Sequence, residues 1–374
     1  MPDQHLHIVC LDVPYPPDYG GVFDLFYKIK ALRAKGVLIH LHCFEYGRGK
    51  QPELNKYCIS VNYYTRKSFI TRLIYRVPFI VSSRASEELI QNLSRDNYPV
   101  LLEGIHCTWL LYSGKLRNRK VAVRLHNVEF EYYRELAHTT GNFLKKIYYK
   151  RESALLKKYE RTIANRCLFI AVSMRDRNTY REMFHAKNIQ YLPVFLPFDD
   201  VSARAGSGSF CLYHGNLSIA ENEKAAVWLI KNIFASLQIP LIIAGKNPSE
   251  KLYAAASRYS NVSVAANPSR QQMDEFITNA HIHVLPSFNT TGIKIKLLNA
   301  LFNGRYVITN SAAIEGTHLE NICTVANTPE EYVTHIRALM RQPFDITEKD
   351  KRKELLNTIF NSEKNAAQLM QWLW

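Results

Sequence analysis

Thirteen short apolar runs, many of them rich in β-branched residues, punctuate this chain of 374 residues, and helical stretches separate most of them. The first half carries "LHIVCLDV", "VLIHLHCF", "CISVNYY", "PVLLEG", "KVAVRLHN", "CLFIAVS" and "IQYLP". The second half carries "FCLYHGN", "IPLIIAGK", "NVSVAAN", "HIHVLPS", "RYVITNS" and "NICTVAN". Few alternate strictly between apolar and polar, which is the pattern of strands buried on both faces. Strand–helix alternation of this kind points to an α/β chain with parallel, doubly wound sheets. Between the two sets, "LPFDDVSARAGSGSF" (196–210) mixes Pro, Gly and Ser with almost no apolar periodicity and reads as a linker. The predicted organisation is an N-terminal domain over 1–197 and a second domain over 210–345. Helices over 346–374 close the chain. They pack back on the N-terminal domain, because exposing both tryptophans of "LMQWLW" would be costly.

Composition narrows the partners more than the fold. The formal net charge of +15 calls for something anionic: nucleic acid, an acidic membrane surface or a phosphorylated ligand. A basic nucleic-acid-binding protein ranks low, since no helix-turn-helix, zinc or RNP pattern is present. The seven cysteines are dispersed and include no C-x-x-C pair, so they read as buried free thiols of a reducing compartment. The N-terminus has no signal-peptide pattern, and no run of about 18 apolar residues predicts a membrane span.

In doubly wound sheets, ligands bind beyond the carboxyl ends of the strands. Candidate residues therefore follow strands. Gly20-Gly21 open a helix after the first strand, where glycines let a ligand approach the backbone amides, or simply make a turn. His126 and Asn127 end the strand "KVAVRL", with Arg124 before them and Glu129 opening a helix. A histidine there can carry a proton near neutral pH, although a capping or loop histidine would look the same. His5, His7, His40 and His42 lie within strands and read as structural. In the second domain Gly215 permits close approach, and Asn222 either caps a helix or touches a ligand. Lys246 ends a strand and is either solvated or aimed into a cleft.

The most specific stretch is "NTTGIKIKLLNALFNGRYVITN" (289–310). A helix starting near Thr291 would present the free amides of Gly292 and Ile293 to an anion. Lys294 and Lys296 are two residues apart and point to different faces of a regular helix. Lys294, nearer the positive end, is then the expected principal cation, and Asn299 can hydrogen-bond hydroxyls. Two basic segments, 66–84 and 142–166, read either as ordinary surface or as contacts for an anionic membrane. In the latter, Lys146, Lys150, Lys157 and Arg161 form one stripe, and Leu144, Tyr148, Leu155 and Tyr159 form a roughly opposed one.

"YPPDYGG", "RLHNVEFEYY", "YHGNLSIAENEKAAVWLI" and "VLPSFNTTGIKIKLLNALFNGRYVITNSAAIEG" together resemble bacterial family 4 glycosyltransferases, over nearly the whole chain. The resemblance implies the GT-B fold: two Rossmann-like domains facing across a cleft, with a C-terminal helix returning to the first. It implies a retaining, metal-independent hexosyltransferase that needs no cofactor beyond its UDP- or GDP-linked sugar donor. The acceptor would be a lipid-linked or saccharide molecule in cell-surface polysaccharide or lipopolysaccharide synthesis. The location would be cytoplasmic, peripheral on the inner face of the cell membrane. Gly20 and Gly21 would meet the donor phosphate or sugar, His126 the reacting sugar, and Gly292, Ile293 and Lys294 the diphosphate. Two departures stand out. Thr291 and Asn299 replace a pair of glutamates common in the family, and Asn222 stands about where a lysine is usual, with Lys224 nearby. They keep open a degenerate member that acts as a partner subunit.

Overall fold

The computed structural model describes residues 3–18, 20–67 and 76–374. The chain forms two compact units, 1–197 with 360–374, and 198–359. The strands of the first unit are β1 (His5–Cys10), β2 (Leu38–Glu45), β3 (Ser60–Thr65), β4 (Val100–Glu103), β5 (Val121–Leu125), β6 (Leu168–Ala171) and β7 (Ile189–Tyr191). They lie in the order β3-β2-β1-β4-β5-β6-β7, and every pairing is parallel. Helix α1 (Gly20–Ala34) follows β1; α2 (Glu129–Thr139) and α3 (Phe143–Ile163) follow β5. Both faces of the sheet are covered. Val9, Leu102, Val123 and Phe169 belong to one buried cluster, whereas Ile8, Leu101, Ala122 and Ile170, their strand neighbours, belong to another. This is why the strands read as unbroken apolar runs.

The second unit repeats the plan with β8 (Cys211–Asn216), β9 (Leu241–Lys246), β10 (Val262–Ala266), β11 (Ile282–Val284), β12 (Tyr306–Thr309) and β13 (Thr324–Val325), in the order β10-β9-β8-β11-β12-β13. Helix α4 (Ala220–Asn232) follows β8, and α5 (Ile295–Asn303) follows β11. Gly215 and Gly245 are register partners on β8 and β9. A Cβ on Gly245 would lie 1.8 Å from the Gly215 carbonyl oxygen, so only glycine allows these strands their spacing there.

The tail divides, which corrects the expectation that 346–374 packs as a whole on the first unit. Helix α6 (Ile346–Ile359) stays with the second unit. It buries Arg352 and Leu356, and Arg352 donates to the carbonyls of Leu301 (3.4 Å) and Gly304 (2.8 Å) at the end of α5, where a cation is favoured. Helix α7 (Ser362–Leu373) does return to the first unit: Ala366, Leu369 and Leu373 join the cluster of Leu25, Phe26 and Ile29 on α1. The linker is also shorter than expected. Ser202 already bonds Phe302 O and Asn303 Oδ1, at 2.7 Å each. Among the described residues, no helix is long and apolar enough to cross a membrane. Five of the seven cysteines are buried and the other two are partly so, and all are free.

The strand histidines form a buried ladder between β1 and β2. His7 Nδ1 lies 2.8 Å from His42 Nε2, and His7 Nε2 lies 3.0 Å from Asp96. Burial holds His7 down to about 4 and His42 down to about 3. The unfolded chain therefore binds protons below the ordinary histidine value of about 6.5 that the folded chain refuses. The contribution of these two histidines to stability should be constant above that value and be lost as pH drops from about 6.5 toward 4, while the raised carboxyls of Glu129 and Glu160 act in the opposite sense. Urea unfolding at a series of pH values should show it as a difference: relative to wild type, His42→Gln, which removes one proton site, should gain up to about 1.4 kcal/mol per pH unit on acidification.

Candidate active site

In each unit the strand order reverses between its first and fourth strands, β1/β4 and β8/β11, and the candidate residues gather at the carboxyl ends around these points. In the first unit they surround a buried charge network. Asp24 and Lys28 lie one turn apart on α1 and are almost wholly buried. Lys28 Nζ is 3.0 Å from Asp24 Oδ2 and 2.9 Å from Oε1 of Glu103, the last residue of β4. Arg124 on β5 donates to Asp24 through Nε and Nη2, each at 3.2 Å. Its remaining donors serve the Leu192 carbonyl at 2.6 Å and the Pro193 carbonyl at 2.9 Å. Burial would raise both carboxyls. For Asp24, Arg124 and Lys28 outweigh it, and for Glu103, Lys28 and the hydrogen bond from His126 do so, holding both below their ordinary values.

His126 follows β5 and lies 3.1 Å from Glu103 Oε2 through Nε2. An ionised carboxylate only accepts, so Nε2 carries the proton of this hydrogen bond. The ligand atoms of Asp24, Glu103 and His126 lie within 4.8 Å of one another, close enough to suggest a metal. They do not fit one: the Lys28 ammonium already bridges both carboxylates. Glu103, Asp24 and Lys28 were not singled out from the sequence. The only trace is an acid–lysine pair, four apart, in an otherwise apolar helix face, and an acid ending "VLLE".

The other residues of the His126 cluster, Arg124, Asn127 and Glu129, are engaged within the first unit. Arg124 and Glu129 are buried, and Asn127 is half-buried. Arg124 is engaged as described. Glu129 is pushed up to about 7 by burial, against a hydrogen bond from Asn127. The first amides of α2, Glu129 N and Phe130 N, donate to the Glu160 carboxylate at 3.1 Å each, so they are already satisfied. Gly20 and Gly21 do open α1, with Gly20 exposed.

In the second unit α5 begins at Ile295, not near Thr291. Asn289 Oδ1 accepts from both the amide and the hydroxyl of Thr291 at 2.8 Å, a local turn that competes with helix. Gly292 follows in the left-handed region (φ 65°). Lys294 is therefore the N-cap residue, and its Nζ donates to Thr291 O at 2.8 Å. Lys296 points inward. Its Nζ lies 2.9 Å from Asn222 Oδ1 and 3.0 Å from Tyr213 Oη, and 4.7 Å from the Tyr213 ring centroid. Asn222 is inside α4 rather than its cap; its Nδ2 donates to Asn216 O at 2.9 Å, which turns its oxygen toward Lys296. Burial lowers the Lys296 ammonium to about 8, with Glu221 opposing and Lys294 adding to the effect. Ile293 and Asn299 are half-buried, and Asn299 Oδ1 accepts from Asn303 at 2.7 Å. Lys246 ends β9 and is exposed.

The fold class is GT-B, built of two Rossmann-like parallel-sheet units with closing helices. Residues 209–342 match the family described as Glycosyl transferases group 1. A relative described as an uncharacterized 44.6 kDa protein in the cps region of Klebsiella pneumoniae is 27% identical over 355 residues, 88% of this chain and 89% of that one. Among solved structures, HepE of Anabaena in complex with UDP and glucose is 10% identical with a TM-score of 0.67, covering 99% of each chain. A variant of S. aureus TarM in complex with fondaparinux, α-GlcNAc-glycerol and UDP is 9% identical at a TM-score of 0.67, again over 99% of each. The UDP-forming trehalose-phosphate synthase of Burkholderia xenovorans is 8% identical at 0.65, over 99% of this chain and 100% of that one. The domain match and the shared fold together support a glycosyltransferase.

Asp24→Ala should leave Arg124 without its carboxylate and Lys28 with one partner fewer. The expected cost is about 3–5 kcal/mol in urea unfolding, because removing one partner strands buried charge. A loss below about 1 kcal/mol would mean that water reaches the network.

Proposed function

We propose that this chain transfers a sugar from a nucleoside diphosphate sugar to a lipid-linked or saccharide acceptor in cell-surface polysaccharide synthesis, with retention and without a metal. The observation that carries the proposal is Lys296. It is a half-buried lysine whose ammonium points inward at the switch point of the second sheet, and its bonding partners there are neutral oxygens. Burial disfavours this ammonium more than the nearby Glu221 favours it, and an arriving anion would offset that cost. The matched family domain spans this site, and the cps-region relative suggests the pathway. UDP in the complexes of HepE and TarM makes a uridine donor the first to test.

In this reading Lys296 binds the diphosphate and steadies it as negative charge develops on the leaving group. Lys294 and the amides of Gly292 and Ile293 border it. His126 acts on the transferring sugar, accepting from a hydroxyl at Nδ1, while Glu103 fixes the ring. A partner subunit without turnover is the second reading, motivated by Asn299, whose amide oxygen is already occupied by Asn303 where the family has an acid. Binding of nucleoside diphosphates with no transfer from any UDP- or GDP-sugar would favour it.

Lys296→Met should weaken UDP binding by about 1.5–3 kcal/mol, and Lys294→Ala by less, in titration calorimetry. Wild-type affinity should hold steady below pH 8 and decline above it as the ammonium is lost, and Lys296→Met should abolish that decline. Equal losses for the two lysines would place the diphosphate elsewhere. For the first unit, His126→Ala should lower turnover about a hundredfold while UDP affinity stays near wild type, because the group acts mainly in the transition state. Glu103→Gln should lower turnover in the same direction by less.

A further inference from the structure

Helix α3 packs its long axis against α2, yet its first two turns are uncovered. Phe143, Leu144 and Ile147 are 72%, 76% and 51% exposed, three of the most exposed large apolar side chains among the described residues. At 3.6 residues per turn these three span about 100° of the helix circumference. The buried positions Glu152, Leu156, Tyr159 and Ile163 lie on the other side. The apolar stripe read from the sequence therefore splits. Tyr159 is core, whereas Leu144 faces solvent.

The same solvent side carries Lys146, Lys150, Arg151, Lys157, Lys158 and Arg161, all exposed. No acid of the helix lies among them: its two acids, Glu152 and Glu160, are buried on the opposite side. The helix start does not need the apolar group for its own stability, because Asn142 caps it by accepting from Lys145 N at 3.0 Å. Three side chains are too few to anchor a stable protein interface of roughly 800 Å² per partner. They suit insertion among lipid headgroups, with a row of cations alongside to meet negative charge.

We infer that the solvent side of α3 docks on an anionic bilayer, with Phe143, Leu144 and Ile147 inserted and the cations along the helix on headgroup phosphates. In the second basic segment Arg84 is buried, donating to Leu11 O and Ile80 O, whereas Lys67 and Arg76 are exposed, and residues 68–75 lie outside the described residues. The inference stands apart from the proposed reaction and does not depend on it.

The test is co-sedimentation of the full chain with vesicles of phosphatidylcholine alone and of equimolar phosphatidylcholine and phosphatidylglycerol. Binding should require the anionic lipid and weaken with added salt. Phe143→Ser, Leu144→Ser and Ile147→Ser combined should reduce it about tenfold or more, and so should Lys146→Gln, Lys150→Gln, Lys157→Gln and Arg161→Gln combined. Both variants should keep the wild-type melting temperature and UDP affinity, which separates this result from any failure of the catalytic reading. Unchanged vesicle binding in either variant would overturn the inference. So would self-association without vesicles that the serine variant abolishes, since the patch would then join two copies of the chain.

Discussion

Lys28 holds the first unit's sheet edge together. Its ammonium sits between two carboxylates that come from different elements, Asp24 of α1 and Glu103 of β4, and Asp24 in turn fixes Arg124 of β5. Two strands, one helix and the 192–195 segment are thereby tied at a single point, which also includes the amide of Phe195 bonded to Asp24 at 2.8 Å. Such networks are expensive to assemble and costly to break, so they define a geometry more than they add stability. The geometry they define here is that of His126, which hangs on the outer end through Glu103.

The two sheet edges make a useful contrast. Both hold a lysine near the switch point, Lys28 buried and Lys296 half-buried. Lys28 is neutralised by acids on both sides, and its charge is spent inside the protein. Lys296 rests on a phenol and an amide, so its positive charge is balanced less completely and its proton is held less tightly. The first arrangement makes a rigid frame, and the second is the one proposed above to receive negative charge.

The strands were legible because parallel strands buried on both faces leave continuous apolar runs; the seven and six strands of the two sheets correspond to the runs read from the sequence. The start of α5 was not, because a side-chain turn at Asn289 and a left-handed Gly292 outweigh the helical pattern that begins in the same residues. That one shift moved Lys296, rather than Lys294, into contact with β8 and α4. The Asp24–Lys28–Glu103 network was hidden for another reason: Glu103 lies 75 residues from Lys28 across the sheet, and no local pattern links them. Helix α6 reads as a polar surface helix, and Arg352 reaching back to α5, with Lys353 and Asn357 bonding Asp200, ties it to the second unit.

The return of α7 to α1 sets an order of events during synthesis. Residues 198–359 are contiguous, so the second unit has all its parts as soon as they leave the ribosome. The first unit does not. The faces of Leu25, Phe26 and Ile29 wait for Ala366, Leu369 and Leu373, which emerge only after the whole of the second unit has been made. The half that is translated first is thus the half that is finished last, and until then its α1 surface is what a chaperone would find exposed.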